Sequence, residues 1–406
     1  MSKHQFVLEL GRAMHALGSP SYRVEDTMVA CSRSFGMDGN FFATPTAIFL
    51  AAGAPGEEVR TTLLRVSPGD HDLGRLAALY GIRDRVVGGE MSPEQGLVEV
   101  RAVLAAADTR VWPDIVGQTL VGGGAATLLG GGPSEVACAS AAGLLAALIG
   151  WLARRRPSLG DVQAALTCAA VAFFVRSVAS LWQPLSVPVT TLSAIIVLLP
   201  GLSFTTALAE LAMRHLAAGS ARLMGALAVF VTMAIGVGIG DRLAVGLFGG
   251  VDVDAPAPLG PLALAAALIA NWIAFVLLLR GTPRQSPWVL MAVVAGFFGA
   301  RLGGAVLEDE LGAVVGAMAV ALLGNLYSRW LRQPAAIVRT PGLLLLVPGS
   351  LGFSGLTTAI SGDFTSSAPF VFRMLLVGGS IVAGLLFAGV LLPPPLEVEP
   401  GSRREP

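Results

Sequence analysis

Charge is scarce in this chain of 406 residues: 13% are Asp, Glu, Lys or Arg, against about 25% in an ordinary soluble domain. Lys plus Arg number 27 and so do Asp plus Glu, so there is no basic surplus to displace counterions, which argues against a nucleic-acid partner. Cysteine is scarce too. Cys31, Cys138 and Cys168 are odd in number and show no CxxC spacing, which excludes a disulfide framework and a zinc site and leaves small buried thiols. There is no P-loop, HExxH, GxSxG or paired Cys/His set, so no metal or cofactor is expected and an ATP-driven pump is disfavoured. The first residues, MSKHQFVLELGRAMHALG, carry charges through their apolar positions and do not form a secretory signal, so the N-terminal part is expected in the cytoplasm.

What is abundant is apolar residues, 54% of the chain, and glycine, 50 residues without a G-X-Y period, as close-packed membrane helices require. The few charges crowd forward: 24 of 54 lie in residues 1–113, which read as a soluble α/β domain. Phe6, Val7, Leu10, Met14 and Leu17 follow helical spacing up to Gly18, and a second helix should run from Ser19-Pro20 to Gly36. Residues 41–50 and 58–66 read as a hairpin around AAGAPGE, and 71–87 and 93–107 as two helices, giving α-α-β-β-α-α. A hairpin alone is marginal, so it must lie on the helices or pair with a second copy, which leaves a homo-oligomer open.

From Asp114 onward ten apolar runs are expected to span a bilayer: 115–132, 134–152, 162–181, 187–203, 222–241, 260–279, 288–306, 311–330, 341–357 and 372–392. With the N-terminal domain inside, the inner breaks hold Arg154–Arg156, Arg214, Arg222, Arg280, Arg284, Arg329, Arg332 and Arg339, and the tail adds Arg403 and Arg404. The outer breaks hold Glu135, Asp252, Asp254, Glu308–Glu310 and Asp363. Arginine on one side follows the positive-inside rule and puts both termini in the cytoplasm. The expected organisation is a cytoplasmic α/β domain (1–113), two five-helix membrane repeats (114–248 and 249–392) and a cytoplasmic tail (393–406).

A shift of 148 residues lays Ser180, Trp182, Pro200 and Gly201 on Ser328, Trp330, Pro348 and Gly349. Five spans per half would invert the second copy, an architecture that places substrate at broken helices near the midplane. Pro200-Gly201 and Pro348-Gly349 are the expected breaks, because proline removes an N–H and frees a carbonyl. Intramembrane charge is costly and so marks function: Arg176 and Arg301 are candidates to fork a carboxylate, with snorkelling as their structural alternative. Asp241 is a candidate coupling group or a local partner of Arg242. Asn271 and Asn325 contact substrate or glue helices together. Thr190, Thr191, Thr205 and Thr206 offer hydroxyls.

The segment HALGSPSYRVEDTM (15–28), with Pro-Gly helices and LMGALAVFVTMAIGVGIG (223–240), resembles the threonine/serine exporter family across nearly the whole chain, in a form with both halves fused. The resemblance implies a multi-pass protein of the cytoplasmic membrane that exports threonine, serine or a similar small amino acid, driven by the proton gradient and not acting as an enzyme. Its motif positions here are Arg23 and Glu25, with His15 at the start of the segment. Two other classes stay open: a membrane-bound hydrolase using His15, Arg23 and Glu25, and a membrane-anchored sensor.

Overall fold

The computed structural model describes residues 2–53, 60–67, 69, 71–106, 110–181, 185–250, 257–360 and 362–394. The N-terminal domain comprises α1 (Ser2–Ala16), α2 (Ser21–Ser34), β1 (Asp38–Thr44), β2 (Ala47–Gly53), β3 (Arg60–Arg65), α3 (Leu73–Val87) and α4 (Pro93–Ala105). The apolar stripe Phe6, Leu10, Met14 and Leu17 is fully buried, as its helical spacing requires. Gly18 and Gly36 end α1 and α2 at φ of 79° and 69°, the left-handed region that glycine enters without strain. Asp72 caps α3 by accepting from Arg75 N at 2.8 Å, and Ser92 with Gln95 forms a capping box on α4.

The expected single strand over 41–50 is in fact two. The chain turns at Pro45-Thr46, so Thr44 pairs with Ala47, and the Thr44 hydroxyl bonds Ala47. Pro45 has no N–H for a ladder and suits a turn. The order is therefore α-α-β-β-β-α-α, with an antiparallel β1-β2-β3 sheet. Ala43, Ile48 and Leu50 on one face are buried in the helical core, while Phe42, Phe49 and Leu63 on the other are exposed. Most of the expected AAGAPGE loop lies outside the described residues.

The remainder is helical: α5 (Trp112–Leu128), α6 (Pro133–Arg155), α7 (Gln163–Leu181), α8 (Val187–Ile195), α9 (Gly201–Ala212), α10 (Leu216–Phe248), α11 (Pro261–Leu278), α12 (Ser286–Leu307), α13 (Ala313–Leu331), α14 (Ala336–Leu344), α15 (Gly349–Ile360) and α16 (Phe364–Leu391). Eight spans among the described residues are long and apolar enough to cross a membrane, or nine if α8 with α9, bent by 59°, counts as one. The α5 helix has 17 residues, shorter than these, and packs on α6, α8 and α11. Large apolar side chains such as Leu262, Val390 and Leu247 point outward, as lipid contact requires.

Close crossings hold the bundle together. A Cβ on Gly236 or Gly240 of α10 would sit 2.3 or 2.0 Å from the Ala165 or Ala169 carbonyl of α7, so only glycine permits this approach. Gly384 of α16 meets the Val314 carbonyl of α13 in the same way, at 2.4 Å. The pairings α6–α8, α7–α10 and α9–α10 recur as α12–α14, α13–α16 and α15–α16. Between the halves, α10 packs on α15 and α9 on α16.

The N-terminal domain docks on the arginine-bearing end. Glu210 of α9 is fully buried, accepts from Ser21 N at 3.0 Å and takes a bidentate pair from Arg222 at 2.9 and 3.0 Å. Leu73 N donates to the Leu279 carbonyl at 2.8 Å. At the opposite end, buried Glu135 accepts from Gly132 N at 2.8 Å and Ser186 N at 2.7 Å, tying the starts of α6 and α8 together.

Candidate transport vestibule

The two Pro-Gly pairs start helices. The Pro200 carbonyl accepts from Phe204 N at 2.8 Å and the Pro348 carbonyl from Gly352 N at 3.1 Å, so each proline stands just ahead of a new first turn. Both proline carbonyls are thus engaged within helices. The first N–H groups of such a helix lack intrahelical acceptors, and no side chain caps α9.

The two helix starts touch. A Cβ on Gly201 would lie 3.1 Å from Gly349 N, and one on Gly349 would lie 3.3 Å from Gly201 Cα. Two N-termini, each carrying about half a positive charge, therefore converge in the interior. They border a cavity of about 940 Å³ that reaches from this point to the end where the N-terminal domain docks. Gly201, Leu202, Ser203, Gly349 and Ser350 line its inner part, with Gln118 of α5, Asn271 of α11 and the turn 196–198. At its mouth Asp114 of α5 accepts from Arg280 of α11 at 2.8 Å and pairs with Arg154 of α6 at 2.9 Å.

Of the residues singled out by sequence, Pro200, Gly201, Gly349 and Asn271 line this vestibule, and Pro348 immediately precedes it. Asn271 is buried, and its Nδ2 donates to the Ala267 carbonyl at 2.8 Å. Arg176 is not at the cavity: it pairs with Asp241 at 3.0 Å across the α7–α10 contact. The sequence-neighbour Arg242 is thus not the partner of Asp241 in that pair. Arg301 is exposed, with its guanidinium 5.6 Å from the Phe297 ring centre. Thr190 donates to the Ser186 carbonyl at 2.8 Å, and buried Thr191 lies on the same helix, neither of them lining the vestibule. Asn325 accepts from Arg339 and donates to the Leu392 carbonyl at 2.6 Å, so it joins α13 to the end of α16. Trp182, Asp252, Asp254, Arg403 and Arg404 lie outside the described residues.

The segment 15–28 works as a docking element. Glu25 accepts from Ala43 N at 2.7 Å and faces His215 at 3.4 Å, linking α2 to β1 and to the α9–α10 corner. Burial raises its pKa, opposed by the Ala43 N–H and by His215. His15 is buried, and burial together with the Arg222 charge lowers its pKa. Arg23 instead lines a second, smaller cavity. Among the described residues no group of three His, Cys, Asp or Glu is placed to hold a metal. Sequence reasoning missed Glu210, Gln118, Ser203 and Ser350; the one signal within reach was that both serines closely follow the Pro-Gly pairs.

Two threonine/serine exporter family models match the chain, one over residues 5–244 and the other, described as "Threonine/Serine exporter, ThrE", over 264–391. The chain belongs to the threonine/serine exporter family. Among curated proteins it is similar to Pheromone-regulated membrane protein 10 of Saccharomyces cerevisiae strain YJM789, at 23% identity over 97% of this chain and 54% of that protein. The protein of that name from Candida albicans strain WO-1 is 26% identical over 97% of this chain and 38% of its own length. The chain thus spans about half or less of these relatives. No solved structure matches it. Membership in this family agrees with the multi-pass helical bundle.

Proposed function

We propose that the protein exports threonine, serine or a similarly small amino acid from the cytoplasm, driven by the proton gradient, with the vestibule as its inward-facing substrate site. The observation that carries this reading is the contact of the α9 and α15 N-termini at the head of the cavity of about 940 Å³. Two positive helix ends held together repel, and a substrate carboxylate between them relieves the repulsion while accepting from their N–H groups. The turn at 196–198 ends α8 beside the same cavity, so its carbonyls suit an ammonium. Ser203, Ser350, Gln118 and Asn271 offer partners for a small polar side chain.

The recurring helix pairings and the reciprocal α10–α15 and α9–α16 contacts support a five-plus-five inverted repeat, with α5 counted as the tenth span. The arginines at the domain-bearing end support a cytoplasmic N-terminus and C-terminus. Cysteine placed at Ser134 should then label from outside intact cells, and cysteine at Ser158 should not. Arg176 and Asp241 are assigned to each other as a structural pair instead of to substrate and coupling.

Counterflow in proteoliposomes tests the reading. Labelled threonine or serine should exchange rapidly, and in cells a protonophore should stop net export. No exchange across a broad amino-acid panel would sink it.

A further inference from the structure

We propose that Glu135 of α6 is a positioning residue for transport: as a carboxylate it holds the start of α8, and on taking up a proton it lets go. The bearing on transport rests on the export reading, whereas the proton-dependent hold on α8 does not. Among the described residues two carboxylates are buried in the membrane region, Glu135 at 4% exposure and Glu210 at 0%. Each ties down one half of the bent α8–α9 span.

They differ in what balances them. Glu210 takes the Arg222 fork, so protonating it would strand a cation. Glu135 makes no ion pair among the described residues. Its Oε2 accepts from Gly132 N at 2.8 Å and its Oε1 from Ser186 N at 2.7 Å. The elements packed on it bring no free counter-charge. On α6 the titratable side chain in its field is Cys138. Neither α8 nor the turn 157–159 has a titratable side chain, and that of α5 is Asp114, at the opposite end. On α7 they are Cys168 and Arg176, and Arg176 is taken by Asp241.

A carboxylate offers both oxygens as acceptors, whereas the neutral acid turns one of them into a donor. That O–H meets an N–H, so one of the two bonds must go. The Gly132 bond is local to the start of α6. The Ser186 bond joins two helices across 51 positions and is the one that parts. No side-chain cap on α8 takes its place. Once α8 moves off, Glu135 loses an N–H that favours its charged form, so release and proton binding reinforce each other. The α8 helix has nine residues, a lever of about 14 Å, and it leads into the turn 196–198 that lines the vestibule. A proton taken up at one end of α8 therefore acts on the vestibule wall at the other.

The test uses the full chain in nanodiscs, where both faces see one pH. Hydrogen exchange is read over α8 at matched pH, so that intrinsic rates cancel between variants. At about pH 8, Glu135→Gln should exchange about tenfold faster than wild type, as loss of a bond to a charged group predicts. At about pH 5 the two should converge, because wild type is then protonated as well. Ser186→Pro removes the donor at a φ of −78°, which proline adopts, and should exchange fast at both pH values. A cap that never titrates gives the same ratio of Glu135→Gln to wild type at every pH, and that result overturns the proposal. So does wild-type protection of α8 in Ser186→Pro. In proteoliposomes, threonine counterflow should follow pH in wild type and lose that dependence in Glu135→Gln; an unaltered pH profile in the variant counts against the proposal. Absence of counterflow in wild type would instead remove the export reading and leave the hold on α8 to be decided by hydrogen exchange.

Discussion

The α8–α9 span and the α14–α15 span both restart at a Pro-Gly pair, yet the first bends by 59° across its break while the second runs on as one span from Ala336 to Ile360. Their anchorage differs as well. The half nearer the N-terminal domain is α9 in one span and α14 in the other. The α9 helix is gripped by a buried carboxylate, Glu210, which takes Ser21 N and the Arg222 fork. The α14 helix meets the domain through Ala336 against its apolar core and through the arginine-lined cavity. The far half α8 is held only within the bundle, by Glu135 through Ser186 N. Similar backbones are thus wired differently, and the domain is placed to act on the near halves of both broken spans.

The largest effect should come from the contact the two halves share. A valine at Gly201 or at Gly349 drives its side chain into the opposing helix start, and misplacement of this order costs about a hundredfold in a positioned reaction. Both variants should lose threonine counterflow to a similar degree at normal membrane abundance. Loss in one and full activity in the other would break the equivalence of the two starts. Next is Glu210→Gln, which leaves Arg222 with a weaker partner at a buried site; losing one member of such a pair costs about 3–5 kcal/mol. Hydrogen exchange should accelerate in α9 and in 15–28 and stay unchanged in α15. Equal acceleration in both spans would show that the grip is not particular to the first.

A smaller effect is expected at Arg176 and Asp241, a part-exposed pair on the α7–α10 seam that contributes within about 1 kcal/mol. Arg176→Gln should lower abundance slightly, the double variant with Asp241→Asn should restore it, and counterflow should persist in both. Abolished counterflow at normal abundance would return Arg176 to the substrate path. The smallest effect belongs to His15. Its folded pKa is lowered, so the unfolded chain binds the proton more readily and stability is lost as pH falls below the ordinary imidazole value of about 6.5. His15→Gln should flatten that decline in melting temperature. An unchanged slope would place its origin elsewhere.

Most of the apolar helices and the two Pro-Gly helix starts were legible because each is written locally, as a run near bilayer length or as proline next to glycine. The α1 stripe and the caps of α3 and α4 follow the same logic. The split of residues 41–50 was missed because Phe41, Phe42, Ile48 and Phe49 favour strand on both sides, and Pro45 was read as part of one run. Gly201 and Gly349 are marked as helix starts by their punctuation, whereas nothing local to Arg176 announces its ion pair with Asp241, 65 positions away. Long-range pairing leaves no local mark, and Glu210 escaped notice for the same reason.

One carboxylate, Asp114, holds arginines from α6 and α11 at the mouth of the vestibule, and its two arms face water unequally. The Arg280 side chain is 18% exposed and Arg154 53%. Dissolved ions screen an exposed pair far more than a sheltered one. As ionic strength rises, the Arg154 arm loosens first while the Arg280 arm keeps α5 against α11. The salt content of the surrounding water therefore acts on the two arms of Asp114 unequally, leaving the α5–α11 tie the more durable of the pair.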